Sequence, residues 1–112
     1  MRKFNPGEIV EVAFPFEENN NKKVRPALVL YDYGESFLVV KITSQHKKRT
    51  WDIEIPHEDF NGLTVDSVIQ VEKLTELNKT ELCSIIPRGS INSLQLAIVK
   101  QKLEDYRKQR RS

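Results

Sequence analysis

The 112-residue sequence contains little that would crosslink the chain, bind a metal or cross a membrane. Its one cysteine, Cys83, cannot form an internal disulfide, which is typical of proteins in a reducing compartment. Two separated histidines and this cysteine provide no zinc-binding spacing. No apolar run approaches the ~20 residues of a membrane-spanning helix, and the first six residues lack the apolar stretch of a signal peptide. We therefore predict a cytoplasmic protein with no metal or other cofactor.

Charged residues are abundant, and the two signs nearly cancel. The net charge is +2, from 18 Lys and Arg against 16 Asp and Glu, which alone is too small to indicate nucleic-acid binding. Residues 22–25 and 41–49, however, contain several cations and no acid. If their strands pair, the two stretches form one electropositive patch. A third basic group, at 107–111, is interpreted as a solvated tail.

The pattern of apolar residues predicts a mainly β protein with one helix at the end. A chain of this length fits a single domain over 1–112. Strands are predicted at 10–14, 26–32, 36–43, 52–55, 67–74 and 82–86, and residues 17–24 as a polar loop. Ser90 is the predicted N-cap of a helix reaching Tyr106, and Cys83 is predicted to be buried. Short successive strands with strong bends favour a compact, barrel-like sheet.

Arg25 and Pro26 precede the apolar run 27–30, where a proline is expected at the start or edge of a strand. A hairpin turn at 32–35 makes the second and third strands antiparallel neighbours, which places Arg25 beside Thr43. The planar guanidinium group of an arginine can donate two hydrogen bonds to phosphoryl oxygens, and a threonine hydroxyl can make one more. The RNA 2′-hydroxyl attacks its own phosphate, so cleavage at such a site needs no protein nucleophile. On spacing alone, ordinary surface positions for both residues remain the commoner outcome.

Five segments point to a family because they occur in the order and at the spacing of the PemK/MazF-like toxins. They are GEIVEVAFPF at 7–16, RPALVL at 25–30, KITSQ at 41–45, DSVIQVEKL at 66–74 and RGSINSL at 88–94. The chain resembles this family over nearly its whole length. The resemblance implies an SH3-like small β-barrel, usually a homodimer, that cleaves single-stranded RNA as a metal-independent, sequence-specific endoribonuclease. It also implies a cognate antitoxin that holds the enzyme inactive.

The resemblance assigns candidate roles by position. Arg25 in RPALVL and Thr43 in KITSQ match the family's catalytic arginine and threonine. The predicted RNA-binding residues are Lys23, Ser44, Gln45, His46, Lys47 and Lys48. Residues 17–24 match the loop that covers the family's active site, although asparagines stand where members often have Gly and Glu. This loop is therefore a candidate lid.

Two histidines and the tryptophan are also candidates for a functional role. His46 follows the groove motif and is either a proton shuttle or an ordinary surface group. Trp51 either stacks on a base or packs in the barrel or at a dimer interface, and we favour packing. His57 has no expected partner, and we assign it no role.

Two other functions remain open for a chain of this fold. One is a gyrase-inhibiting toxin, but such toxins depend on a C-terminal Trp-Gly-Ile ending, whereas this chain ends Arg-Arg-Ser. The other is a non-catalytic SH3-like module that binds RNA or protein, in which Arg25 and Thr43 are incidental.

Overall fold

The computed structural model describes residues 3–15, 22–45 and 49–111. Its elements are β1 (Glu8–Pro15), β2 (Lys22–Asp32), β3 (Ser36–Thr43), β4 (Asp52–Ile55), β5 (Ser67–Asn78), a 3₁₀ turn (Lys79–Glu81), β6 (Gly89–Ser90) and α1 (Ser93–Arg111). The strands form one curled antiparallel sheet in the order β4-β5-β3-β2-β1-β6. The predicted class, mainly β with a C-terminal helix and a small barrel-like sheet, is confirmed. Within the described ranges, no helix is long and apolar enough to span a membrane.

Alternation along the strands places apolar side chains on both faces of the sheet. One face packs against α1, and Leu28 and Ile42 of this face belong to one buried cluster with Val99 and Leu103 of the helix. The other face has its own smaller cluster, which contains Val12, Ala27, Val29, Phe37 and Val39. Full burial of such a side chain contributes about 1.5–3 kcal/mol, so both clusters stabilise the curled sheet.

The start of β2 differs from the prediction. Residues 22–24 were expected in the loop, but they belong to β2 and pair with β1, as in Phe14↔Lys23 and Ala13↔Val24. The polar composition of this segment suggested a loop. It forms a strand because β1 extends far enough to supply a backbone partner for each of these residues. The rest of the candidate lid, residues 17–21, lies outside the described residues.

The predicted strand at 82–86 is wrong. Strand β5 instead runs on to Asn78, and only Leu82 forms a single bridge, to Val12. The edge of β1 is occupied by β6, through Glu8↔Ser90 and Ile9↔Gly89. The β-branched Ile85 and Ile86 therefore lack a strand partner and are 69% and 68% exposed.

The predicted burial of Cys83 is also wrong, because the thiol is exposed. That prediction depended on a strand at 82–86. Its backbone N–H donates to the carbonyl oxygen of Glu11, so the main chain is attached to β1 there. Ser84 then accepts a hydrogen bond from the N–H of Ile86 at 3.2 Å. This local bond competes with extended pairing and favours a bend.

The helix also begins later than predicted. Ser90 belongs to β6, and α1 starts at Ser93. Asn92 Oδ1 accepts from the Gln95 N–H at 2.7 Å, and Gln95 Oε1 accepts from the Asn92 N–H at 3.0 Å. This reciprocal pair satisfies two N–H groups at the helix start, which a lone serine does not.

A buried ion pair joins the end of β2 to the segment after β5. Lys79 Nζ lies 2.9 and 2.7 Å from the two carboxylate oxygens of Asp32, and the side chains are only 1% and 4% exposed. The N–H groups of Phe4 and Gly34 also donate to Asp32. Burial raises the pKa of Asp32, but these hydrogen bonds outweigh it and lower the pKa below its ordinary value of 3.8.

Candidate functional site

Arg25 and Thr43 come together at the ends of two paired strands. Strands β2 and β3 are antiparallel as predicted, with Val29 opposite Val39 and Ala27 opposite Lys41. Continued by two residues, this register places Arg25 opposite Thr43. Both residues line one open cavity of about 130 Å³ at this end of the sheet.

Pro26 is accommodated because β2 has only one neighbour at this point. It pairs with Glu11 of β1, and the first pair between β2 and β3 is Ala27↔Lys41. A residue without an N–H group is therefore tolerated inside β2, although Pro26 is neither the first residue of the strand nor on an edge strand of the sheet. The ring also restricts Arg25 to extended geometry, which limits the directions open to its side chain.

The lining of the cavity is cationic and rich in hydroxyl groups. Two arginines and four hydroxyl residues contribute to it: Arg25, Arg88, Thr43, Ser44, Thr64 and Ser67. The remaining lining residues are apolar, and no carboxylate residue of the described ranges is among them. The volume is several times the roughly 10–15 Å³ that one water needs, so a group of several atoms fits. Guanidinium and hydroxyl donors of this kind suit an anion such as a phosphate.

Arg88 was not predicted as a site residue. Its Nη2 donates to the Gly62 carbonyl oxygen at 2.9 Å, and its Nε lies 3.8 Å from Glu11 Oε1. The backbones cross so closely that a Cβ at Gly62, which has φ +69°, would stand 2.1 Å from the Arg88 oxygen. Only the folded chain brings residues 62 and 88 together, so sequence spacing contains no signal for this position.

A second group of cations surrounds Lys41, on the sheet face that alternation assigns to Arg25 and Thr43. Burial lowers the pKa of the Lys41 amine below its ordinary value of 10.5, and repulsion from neighbouring cations lowers it further. In decreasing order of effect, these cations are Arg25, Lys73, Lys23 and Arg49. The two basic stretches of the sequence therefore adjoin each other, and β5 contributes Lys73 to the same electropositive surface.

Arg25 itself is half-buried, and its Nε is buried without a hydrogen-bond partner among the described residues. Thr43 is buried, and its Oγ1 accepts a hydrogen bond from the Gln45 N–H at 3.2 Å. This bond orients the hydroxyl and leaves its proton available for another acceptor. The pair thus presents an unused guanidinium donor next to an oriented hydroxyl.

The other predicted RNA-binding residues fall into two groups. Lys23, Ser44 and Gln45 are exposed at this end of the sheet, and Ser44 also lines the cavity. His46, Lys47 and Lys48 lie outside the described residues.

Trp51 and His57 have structural contacts. The half-buried Trp51 ring packs edge-on against Tyr106 of α1, with 5.6 Å between ring centroids, as the packing interpretation expects. The expectation that His57 has no partner is wrong, because its Nδ1 lies 2.6 Å from Asp66 Oδ1. Both members of that pair are exposed, and the contact joins the segment after β4 to the residue before β5.

Solved structures share this fold at low sequence identity. A crystal structure of MazF from Deinococcus radiodurans matches with a TM-score of 0.76 and 20% identity, covering 95% of this chain and 97% of that one. The MazE–MazF complex from the same organism matches with a TM-score of 0.71 and 19% identity, covering 95% and 96%. An endoribonuclease in complex with its cognate antitoxin, from a mycobacterial species, matches with a TM-score of 0.67 and 13% identity, covering 90% and 91%.

The family follows from the sequence rather than from these structures. A search of curated protein sequences finds no significant match. The family model for the PemK-like, MazF-like toxins of type II toxin-antitoxin systems matches residues 5–106, which is most of the chain. The chain therefore belongs to the PemK-like, MazF-like toxin family of type II toxin-antitoxin systems.

Proposed function

We propose that this toxin is a metal-independent, sequence-specific endoribonuclease that cleaves single-stranded RNA in the cytoplasm by 2′-hydroxyl attack. The observation that carries the proposal is the junction of Arg25 and Thr43 at a cavity with cationic and hydroxyl lining. A site that stabilises negative charge on a phosphate needs hydrogen-bond donors directed at the oxygens where the charge develops. The endoribonuclease named among the structural matches supports the same reaction class.

In this mechanism the ribose 2′-oxygen forms a bond to phosphorus, and the bond from phosphorus to the 5′-oxygen breaks. The guanidinium of Arg25 stabilises the charge that develops on the non-bridging oxygens. Thr43, oriented by the Gln45 N–H, donates a further hydrogen bond to the phosphate. The 2′-hydroxyl loses its proton and the leaving 5′-oxygen gains one. His46 is a candidate for moving these protons, because histidine is the side chain whose ordinary pKa lies nearest neutral pH.

The proposed protein partners are a cognate antitoxin and a second copy of the chain. Two of the matched structures are complexes with an antitoxin, described as cognate in one and as MazE in the other. A basic RNA-binding surface is also one that an acidic protein segment can cover, which offers a physical means of inhibition.

Incubation of the purified protein with single-stranded RNA in EDTA tests the reaction directly. Cleavage at defined positions supports the nuclease. Binding without cleavage favours the non-catalytic RNA-binding module, in which Arg25 and Thr43 have no chemical role. Cleavage that appears only when a divalent metal is restored contradicts a metal-independent mechanism.

The chemistry of the fragment ends gives a sharper prediction. Attack by the 2′-hydroxyl produces a 2′,3′-cyclic phosphate, or its opened 3′-phosphate, and a free 5′-hydroxyl. Mass spectrometry of the fragments identifies these ends. A single deoxyribose at the cut site is expected to stop cleavage, whereas the same change three nucleotides away leaves it in place. A cut at the deoxyribose would instead indicate water as the nucleophile.

The electropositive surface, rather than the C-terminal tail, is expected to bind the RNA backbone. Each phosphate contact contributes roughly −0.7 to the slope of log affinity against log salt for single strands. Changing Lys23, Lys47 and Lys48 together to Gln is therefore predicted to weaken binding and flatten the slope. Deletion of residues 107–112 is the control and is expected to change neither. Loss of the salt dependence in the truncated protein would instead identify the tail as the RNA-binding element.

A further inference from the structure

Gln70 of β5 is a buried amide whose burial the fold does not explain. Its side chain is only 8% exposed, yet its Oε1 has no hydrogen-bond partner within the described part of the chain. Most buried carbonyl oxygens are paired, and leaving one unpaired is destabilising. Its neighbours along the strand, Ile69 and Val71, belong to the apolar core on the opposite face of the sheet. A leucine would fill this position without an unsatisfied atom.

Strand pairing places Gln70 on the same face as the candidate catalytic pair. Gln70 is opposite Lys41 of β3, and Lys41 is opposite Ala27 of β2. Directly paired residues share a face, as do residues two apart on one strand. Thr43 and Arg25, which are two residues from Lys41 and Ala27 respectively, therefore lie on the face that contains Gln70.

The two unpartnered buried side-chain atoms found in the described ranges both belong to this face. One is the Nε of Arg25, a donor, and the other is the Oε1 of Gln70, an acceptor. They are on strands separated by β3, with Lys41 between them in the sheet. A ligand that crosses β3 on this face supplies both missing partners, an acceptor for Arg25 and a donor for Gln70.

We propose that Gln70 is a specificity-determining residue whose Oε1 accepts a hydrogen bond from the nucleotide next to the scissile phosphate. This inference rests on the proposed function. A phosphodiester has no hydrogen-bond donor, so the phosphates that the neighbouring cations attract cannot be the partner of Oε1. The donors that RNA offers are the ribose 2′-hydroxyl and the N–H groups of the bases. Through the 2′-hydroxyl Gln70 would select RNA over DNA, and through a base N–H group it would select one base over others.

The test compares Gln70→Leu with the parent protein, using Gln101→Leu on α1 as the matched control. Gln101 makes its hydrogen bond to Asp105, in an exposed position. Gln70→Leu removes the acceptor and replaces the amide with an apolar side chain of similar size, so its melting temperature is expected to be unchanged or higher. Its affinity for a short single-stranded RNA is expected to fall roughly tenfold, the worth of one hydrogen bond in a buried site. Gln101→Leu is expected to bind as the parent does.

Substrate analogues identify the donor. Binding is measured by fluorescence anisotropy in a Thr43→Ala background, so that the RNA stays intact during the measurement. RNAs carry either one deoxyribose or one base that lacks an N–H donor, scanned along the strand. The parent is expected to lose about tenfold in affinity at one position, and Gln70→Leu is expected to be indifferent to that same change. If the deoxyribose causes this loss of affinity, the ribose 2′-hydroxyl is the donor. If the altered base causes it, the donor is an N–H group of the base.

The inference is overturned if Gln70→Leu binds every analogue within twofold of the parent, which would leave Gln70 as a solvated or structural amide. It is also overturned if every loss in the scan is the same in parent and variant. Failure of the proposed function is distinct, because it shows as absence of cleavage by the unmodified protein in EDTA. A protein that binds RNA with the predicted dependence on Gln70 but does not cleave it retains the inference and loses the nuclease.

Discussion

Arg25→Ala is expected to lower the rate of RNA cleavage by roughly 10²–10³, the usual effect of removing one group that stabilises developing charge. The free energy of unfolding is expected to change little. Arg25 is half-buried at the end of the β2–β3 pair, and its Nε has no partner among the described residues. The substitution therefore removes no hydrogen bond at that atom. It also relieves repulsion with Lys41, whose pKa is lowered first by burial and then by Arg25.

Single-turnover cleavage and thermal unfolding measure the two sides of this prediction. Arg110→Ala is the matched control, because the contacts of Arg110 found within the described ranges are with Tyr106 of α1: its Nη1 donates to the hydroxyl at 3.2 Å, and its guanidinium carbon lies 5.9 Å from the ring centroid. Arg25→Lys keeps the charge but loses the planar fork, so only partial activity is expected. Cleavage by Arg25→Ala at the parental rate would show that the guanidinium is not involved in the reaction. A variant that unfolds would show that Arg25 has a structural role.

Lys79→Met is expected to reduce the free energy of unfolding by about 3–5 kcal/mol, the largest stability change predicted for this chain. The substitution leaves the Asp32 carboxylate buried without its cation, while the N–H groups of Phe4 and Gly34 still donate to it. Urea unfolding followed by circular dichroism measures the loss. Glu11→Gln is the control, because the contact of Glu11 with Arg88 is long, at 3.8 Å, and partly exposed. Pairs of that kind contribute about 0–1 kcal/mol.

The pH dependence of stability follows from the same pair. The pKa of Asp32 is lower in the folded chain than its ordinary value of 3.8, because hydrogen bonds outweigh the opposing effect of burial. Its stabilising contribution is therefore complete above pH 3.8 and is lost as the pH falls through the folded pKa. Asp32→Asn is expected to be less stable than the parent at neutral pH and to show a flatter decline in acid. An equal acid decline in both proteins would assign it to other carboxylates.

Hydrophobic periodicity accounts for most of the sheet, because each long strand buries at least one face. The alternation in β1 and the apolar runs of β2 and β3 are local patterns, visible in the few residues that form each strand. The hairpin turn makes β2 and β3 antiparallel neighbours, and a one-residue register shift between Val29 and Tyr31 then brings Arg25 opposite Thr43. This is why the central part of the candidate site was predictable from residues that are 18 positions apart.

The errors occur where a segment's conformation depends on a partner distant in sequence. Residues 82–86 have β-propensity, but only Leu82 bridges β1, at Val12, and Gly89–Ser90 pairs with the start of the same edge. Ser90 is a reasonable N-cap in isolation, yet its pairing with Glu8 leaves that role to Asn92. Residues 22–24 look like a loop until β1 is extended beside them.

The sequence by itself determined the class of fold, the family and the pair of residues proposed to act on the phosphate. These properties depend on periodicity, on one short hairpin and on ordered motifs, all of which are local in the chain. Only the tertiary structure decided the ion pair between Asp32 and Lys79, the place of Arg88 in the cavity wall and the burial of Gln70. Each of these features depends on contacts between residues that are separated in the sequence by at least one whole strand. Their energies arise from desolvation and close approach, which exist only after the sheet has curled around its core.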